Sequence, residues 1–183
     1  MTLLFAWATY AEAQAFLQKH NTQQIDDHTY ECDLGKSIII GMGPSEIGKR
    51  LLPHLDKNTH LINVGLAGAL KKELQKEQFC EICSVSHEKQ TILCGSQGFK
   101  LMSVTNPLYK AKNYQSQYDL VDMEGFFLAQ FAMKHKVPYT LFKMVSDFCN
   151  DQSHEEIKSS LPKLSEALKL HLTDSLPTKF IKN

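Results

Sequence analysis

The stretch L-I-N-V-G-L-A-G-A-L (residues 61–70) decides the architecture. Its first five residues form an apolar run interrupted only by Asn63, the pattern of a strand buried on both faces. Glycines follow at once, in G-L-A-G (65–68), where a buried strand is expected to end. Two runs of the same kind precede it, at 3–8 and 37–41, and the second ends in G-M-G-P (41–44). Between them, residues 12–20 have helical spacing, with Ala13, Phe16 and Leu17 on one face. A second helix is expected over 45–55, with Pro44 just ahead of it and Ser45 near its N-cap.

The C-terminal half continues the pattern. A strand pair is expected at 78–86 and 90–94, and a further strand at 100–105. A helix is expected over 120–136, carrying Met123, Phe127, Phe131 and Ala132 on one face. A strand over 138–145 runs into S-D, and a last helix covers 155–176 with a break near Pro162. Strands alternating with helices, without repeat or linker, predict one α/β domain over residues 1–183 with a largely parallel sheet.

Composition excludes several classes. Acidic and basic residues balance at 20 each, which gives no electrostatic reason for a nucleic-acid or membrane partner. The apolar runs are far shorter than a membrane span. The N-terminus has no basic region and meets Glu12 early, unlike a signal peptide. Five scattered cysteines suit a reducing cytoplasm. Cys80-x-x-Cys83 has no second pair and the histidines lack ligand spacing, so neither metal nor cofactor is expected. Arg50 is the only arginine among the 20 basic residues, so no site built on several arginine clamps is available.

In open α/β sheets, ligands sit at the carboxyl ends of the strands. Four such ends are marked here: A-T-Y-A-E (8–12), G-M-G-P (41–44), G-L-A-G (65–68) and S-D-F (146–148). Glycines gather at two of them and carboxylates at the other two. Taken singly, Asp147 reads equally as a helix cap and Glu12 as a first-turn residue favoured by the helix dipole.

Together these segments resemble the purine nucleoside phosphorylase and nucleosidase superfamily. The resemblance rests on L-I-N-V-G-L-A-G-A-L (61–70), V-D-M-E-G (121–125) and K-M-V-S-D-F (143–148), in that order. A-T-Y-A-E-A (8–13) and D-Q-S-H (151–154) resemble the nucleosidase branch. The resemblance implies a three-layer sandwich, a mixed and largely parallel twisted sheet between helices. It implies hydrolysis of the N-glycosidic bond of a purine nucleoside. Asp147 matches the acid that protonates N7 of the base, which requires a pKa raised by burial. Glu12 matches the base that activates water. Glu124 matches the acceptor for the ribose hydroxyls. Met123 packs on the sugar; Ala67, Gly68, Ser146 and Phe148 belong to the base pocket.

Phosphorylases of this superfamily hold phosphate with arginine and a hydroxyl, at places taken here by Asn63 and Leu66. Arg50 lies past the first turn of its helix, a poor place to meet the glycine loop. Water is therefore the expected nucleophile. Asp147 can accept from N6 and donate to N7, which favours adenine. Among substrates, aminodeoxyfutalosine or futalosine, of menaquinone biosynthesis, is favoured by the resemblance of 8–13 and 63–70. Methylthioadenosine and S-adenosylhomocysteine are the alternative, and an inactive purine-binding module is the reading from another class. The usual assembly is a homodimer. Relatives run longer between residues 70 and 103, where a loop covers the 5′ end of the substrate.

Overall fold

The structure is a computed structural model that describes residues 1–20, 22–108 and 114–180, without the side chains of 177–180. The run that begins at Leu61 does not stop at its glycines. It is β5 (Thr59–Ala69), eleven residues long and the axis of the sheet. Parallel partners flank it, β1 (Thr2–Trp7) on one side and β10 (Tyr139–Asp147) on the other. The strand continues through G-L-A-G because β10 runs beside it to the end, pairing Val145 with Ala67 and Asp147 with Gly68 across a bulge.

Beyond β1 the sheet extends through β4 (Gly35–Ile39), β3 (Thr29–Cys32) and β2 (Gln23–Gln24). The last two were not expected from sequence. They are short, β2 forming the sheet edge and β3 lying between β2 and β4 with Thr29 buried but Glu31 exposed, and they carry no apolar run. On the other side β5 pairs with β9 (Leu120–Asp122), β9 with β8 (Phe99–Ser103), and β8 with β6 (Phe79–His87). β6 then returns to β10, which is already bonded to β5, so this half of the sheet closes on itself. β7 (Gln90–Leu93) hangs on β6 as a hairpin.

Two helical layers cover the sheet. Leu3, Phe5 and Trp7, alternate residues of β1, pack with Ile62, Val64, Phe142 and Met144 against α1 (Tyr10–Lys19) and α4 (Ser153–Phe180). Leu4 and Ala6 point the other way, onto α2 (Ile47–Leu51) and α3 (Gly125–Lys134). α4 contributes Leu164, Leu168, Leu172 and Leu176, one per turn. This is the expected three-layer sandwich around a mixed sheet.

Three expectations need correction. The helix over 120–136 is a strand followed by a helix. Leu120 and Val121 pair with β5 and β8, and the Asp122 carboxylate accepts the Gly125 amide at 2.8 Å, which starts α3. A heptad-like spacing of apolar residues had concealed that turn. The helix over 45–55 is only one turn of α-helix, begun at Glu46 rather than Ser45 and followed by a 3₁₀ turn at Leu52–His54. Finally, α4 runs unbroken past Pro162, which sits on its exposed side.

Candidate active site

The ends of β5, β9 and β10, with the start of α1 and the first turns of α4, enclose a cavity of about 380 Å³. Glu12, Glu124 and Asp147 all line it, as do Met123, Ala67, Gly68 and Ser146. All three carboxylates are buried. They divide into two settings.

Around Glu12 the charges are dense. Lys143 of β10 is 1% exposed, and its ammonium lies 2.8 Å from Asp122. The Asp122 carboxylate also accepts from the Ser103 hydroxyl at 2.5 Å, and that hydroxyl in turn accepts the Phe126 amide. Glu124 accepts the Gly43 amide at 2.8 Å, so the G-M-G-P loop is tied to the start of α3. Gly41 and Gly43 adopt left-handed φ angles of 84° and 75°, which make that approach possible. Glu12 sits in the first turn of α1, its amide donating to the Thr9 cap. A Cβ on Gly65 would come 3.1 Å from a Glu12 oxygen and 3.5 Å from the Lys143 ammonium. Gly65 therefore leaves the space in which the two groups converge.

The electrostatics follow from one cation among three acids. Burial, and then the charge of Glu124, push the Glu12 carboxyl up to about 8, against the pull of Lys143. Burial and Asp122 raise Glu124. Burial works to lower Lys143, but Asp122 and Glu124 outweigh it and raise the ammonium. One buried Glu12 oxygen has no hydrogen-bond partner among the described residues.

Asp147 has a different setting, built from neutral donors. One oxygen accepts from the Ser146 hydroxyl at 2.6 Å and the other from the Cys149 amide at 2.8 Å. Cys149 holds a left-handed φ of 53°. Its buried thiol is pushed up to about 12 by burial and by Asp147, so it stays neutral. A Cβ on Gly68 would fall 2.3 Å from the Cys149 sulfur. Glycine there lets the Asp147 turn close over the strand.

With this geometry in place, known proteins can be compared. The sequence pattern of the Phosphorylase superfamily matches residues 93–177, which include β9, α3, β10 and most of α4. The match spans just under half of the chain. Solved structures similar to this chain include the Chlamydia trachomatis MTAN CT263 bound to adenine. That structure is 26% identical over 95% of this chain and 97% of its own, with a TM-score of 0.81. An Arabidopsis thaliana 5′-methylthioadenosine nucleosidase is similar at 16% identity over 100% and 97%, TM-score 0.83. A Streptococcus pneumoniae MTA/SAH nucleosidase with 8-aminoadenine is similar at 14% over 94% and 97%, TM-score 0.79. No match was found among curated protein sequences. No helix is long and apolar enough to cross a membrane among the described residues.

Some expected residues stand elsewhere. Phe148 is not among the residues that line the cavity, and it is 39% exposed. Arg50 does reach the glycine loop, contrary to expectation. Its Nη1 donates to the Ile39 carbonyl at 2.7 Å and would lie 3.7 Å from a Gly41 Cβ. The helix is so short that its last turn folds back against the end of β4. Arg50 is engaged there and is not among the residues lining the cavity. Asn63 donates to the Ala6 carbonyl at 3.1 Å, and Leu66 lines the cavity. Residues 71–102 hold β6, β7 and the start of β8, and no helix.

Lys143 and Asp122 were missed. Both lay inside quoted segments, and the signal was a lone lysine in the apolar run L-F-K-M-V (141–145). A charge in a buried strand needs a partner, and V-D-M-E-G supplied it.

Proposed function

We propose that this chain is a hydrolase that cleaves the N-glycosidic bond of a purine nucleoside. The observation that carries the reading is the meeting of Glu12, Glu124 and Asp147, from three separate segments, on one cavity. The structures it resembles are described as nucleosidases, two of them holding adenine or an aminoadenine.

The two settings divide the work. In its protonated form Asp147 donates to N7 of the base, while its second oxygen accepts from N6 of adenine. Ser146 and the Cys149 amide hold the carboxyl in that orientation. Backbone approach past Ala67 and Gly68 gives the flat base its slot. Glu124 accepts from the ribose hydroxyls, and Met123 covers the sugar. Glu12, when ionised, takes a proton from water as the water oxygen bonds to C1′ and the C1′–N9 bond breaks. The base leaves neutral because N7 has gained the proton of Asp147. Lys143 holds the three neighbouring acids in place and limits their mutual repulsion.

No cluster of arginines faces the cavity, so we infer water rather than phosphate as the nucleophile. For the 5′ group we favour aminodeoxyfutalosine or futalosine. Methylthioadenosine and S-adenosylhomocysteine are the second reading, favoured by the descriptions of the similar structures. A homodimer in the cytoplasm is the expected setting, consistent with five free cysteines. The test is release of free base from aminodeoxyfutalosine, methylthioadenosine and inosine, with and without phosphate. Adenine release that needs no phosphate is expected. Production of ribose 1-phosphate, or release untouched by Asp147→Asn and Glu12→Gln, would overturn the reading.

A further inference from the structure

The charged lining of the cavity is divided by sign. Four carboxylates, Glu12, Asp122, Glu124 and Asp147, are buried. Among the described residues, the two basic side chains that line it, His154 and Lys158, are exposed and both come from α4. Ser153, His154, Ile157, Lys158 and Leu161 share the helix face turned to the cavity, at spacings of one helical turn. Most of the remaining lining is apolar, with Met42, Leu66, Val104, Pro107, Leu108 and Ile157 among it.

Lys158 differs from its neighbours. Lys163 pairs with Glu77 and Lys169 with Glu166, while Lys76 reaches α4 to pair with Glu156. Lys158 and His154 make no ion pair or hydrogen bond with any described residue. Among the α4 lysines whose side chains are described, the one left without a partner is therefore the one on the cavity wall. An unpaired ammonium at the edge of an apolar pocket is a ready site for an anion, and an apolar body with a terminal carboxylate matches both surfaces.

We propose that Lys158, assisted by His154, selects nucleosides whose 5′ substituent ends in a carboxylate. The assignment rests on the nucleoside reading of the cavity: the buried acids take the base and ribose, which leaves the apolar wall and α4 to the 5′ group. An aromatic acid and an amino-acid tail share this chemistry, and they differ in that the latter carries an ammonium as well.

The experiment compares 5′-deoxy-5′-(3-carboxypropylthio)adenosine with its methyl ester, which removes only the charge. Preference is read as a ratio of kcat/KM where the bond is cleaved and as a ratio of Kd where it is not. Loss of cleavage would thus count against the hydrolase reading and leave the charge preference measurable. The acid is expected to be favoured about tenfold, the size of one charge-assisted contact near solvent. Lys158→Met should bring the ratio close to one, and Lys158→Glu should turn it in favour of the ester. Raising the salt concentration should shrink the wild-type ratio. Equal treatment of acid and ester by the wild type, or a ratio that both variants leave unchanged, would overturn the assignment. S-adenosylhomocysteine, run alongside, distinguishes the two kinds of tail: a drop with Lys158→Met as large as that for the simple acid points to the carboxylate alone.

Discussion

The two halves of the site hold carboxylates by opposite means. Around Glu12, Asp122 and Glu124 the stabiliser is a full charge, the buried ammonium of Lys143. Around Asp147 it is a hydroxyl and an amide, with no cation within ion-pairing distance among the described residues. The difference suits the two jobs proposed. Asp147 is oriented by two neutral donors, as suits a group that hands a proton to a ring nitrogen in a fixed direction. A group that takes a proton from water gains from a nearby ammonium, which helps it ionise in a dry site.

The largest effect should come from breaking each half at its centre. Asp147→Asn removes the acid while keeping the shape, and kcat is expected to fall by about 10²–10⁴. Glu12→Gln should cost a similar factor. The two variants should differ in their pH profiles, however. Below about pH 8 Glu12 holds a proton and cannot accept another. The kcat/KM of the wild type should therefore rise about tenfold per pH unit up to that region and then level. Glu12→Gln should flatten this limb, and Asp147→Asn should keep it. A wild-type profile that is flat from pH 6 to 9 would break the assignment of Glu12.

Next comes Lys143. Its removal leaves Asp122 and Glu124 buried and uncompensated, at a cost of about 3–5 kcal/mol in stability. Lys143→Met should therefore unfold well below the wild-type Tm, and Lys143→Met combined with Asp122→Asn should recover part of the loss. The same variant should move the rising limb of the activity profile to higher pH, because Lys143 is what pulls Glu12 down. Failure of the second substitution to rescue the first would mean that the ion pair is not what Lys143 supplies.

Glu12 also carries a stability cost. The folded protein keeps its proton up to about pH 8, whereas the unfolded chain releases it near 4.5. Between those values folding binds a proton, so stability falls as pH rises through the window. Glu12→Gln has no charge to bury and should melt about 5 °C or more above the wild type at pH 8, with the gap closing below pH 5. Asp147→Asn should show no such gain, since Asp147 trades its two native hydrogen bonds for a poorer set. Thermal melts at two pH values would separate the halves without any substrate.

How much of this was legible in the sequence follows the same division. The strands β1, β5 and β10 were readable because they are apolar on both faces. Glu12, Glu124 and Asp147 were readable because their segments resemble a known family. Lys143 was not, since a lysine in a strand is normally at an exposed edge, and only the fold shows Asp122 opposite it. The strand at Leu120–Asp122 was hidden by a spacing that also fits a helix, and only its pairing with Gly68 and Ala69 reveals it. The Gly43 amide on Glu124 was invisible for a simpler reason, because backbone donors leave no trace in residue type.

A smaller effect tests the packing under Asp147. Gly68→Ala places a methyl group 2.3 Å from the Cys149 sulfur, which is backed by a left-handed backbone and has little room to yield. The substitution should cost about 1–3 kcal/mol and loosen the turn that supplies the Cys149 amide. Adding Cys149→Gly should relieve both the clash and the left-handed strain, and restore much of the stability and activity. The Glu12 half should keep its pH limb throughout. A double variant no better than Gly68→Ala would show that glycine is needed there for the ligand and not for the turn.

The smallest effect is expected at Phe148. The ring was read from sequence as a partner for the base, yet it is 39% exposed and outside the cavity lining. Its backbone still links Asp147 to the Cys149 amide, but that link needs no ring. Phe148→Ala should therefore change KM and kcat by less than about threefold, and stability by about 0.5 kcal/mol or less. A tenfold rise in KM for every purine nucleoside would mean that the turn reorganises on binding and swings the ring over the base. Asp147 would then sit in a pocket assembled by its ligand, while the Glu12 half stays preformed around Lys143.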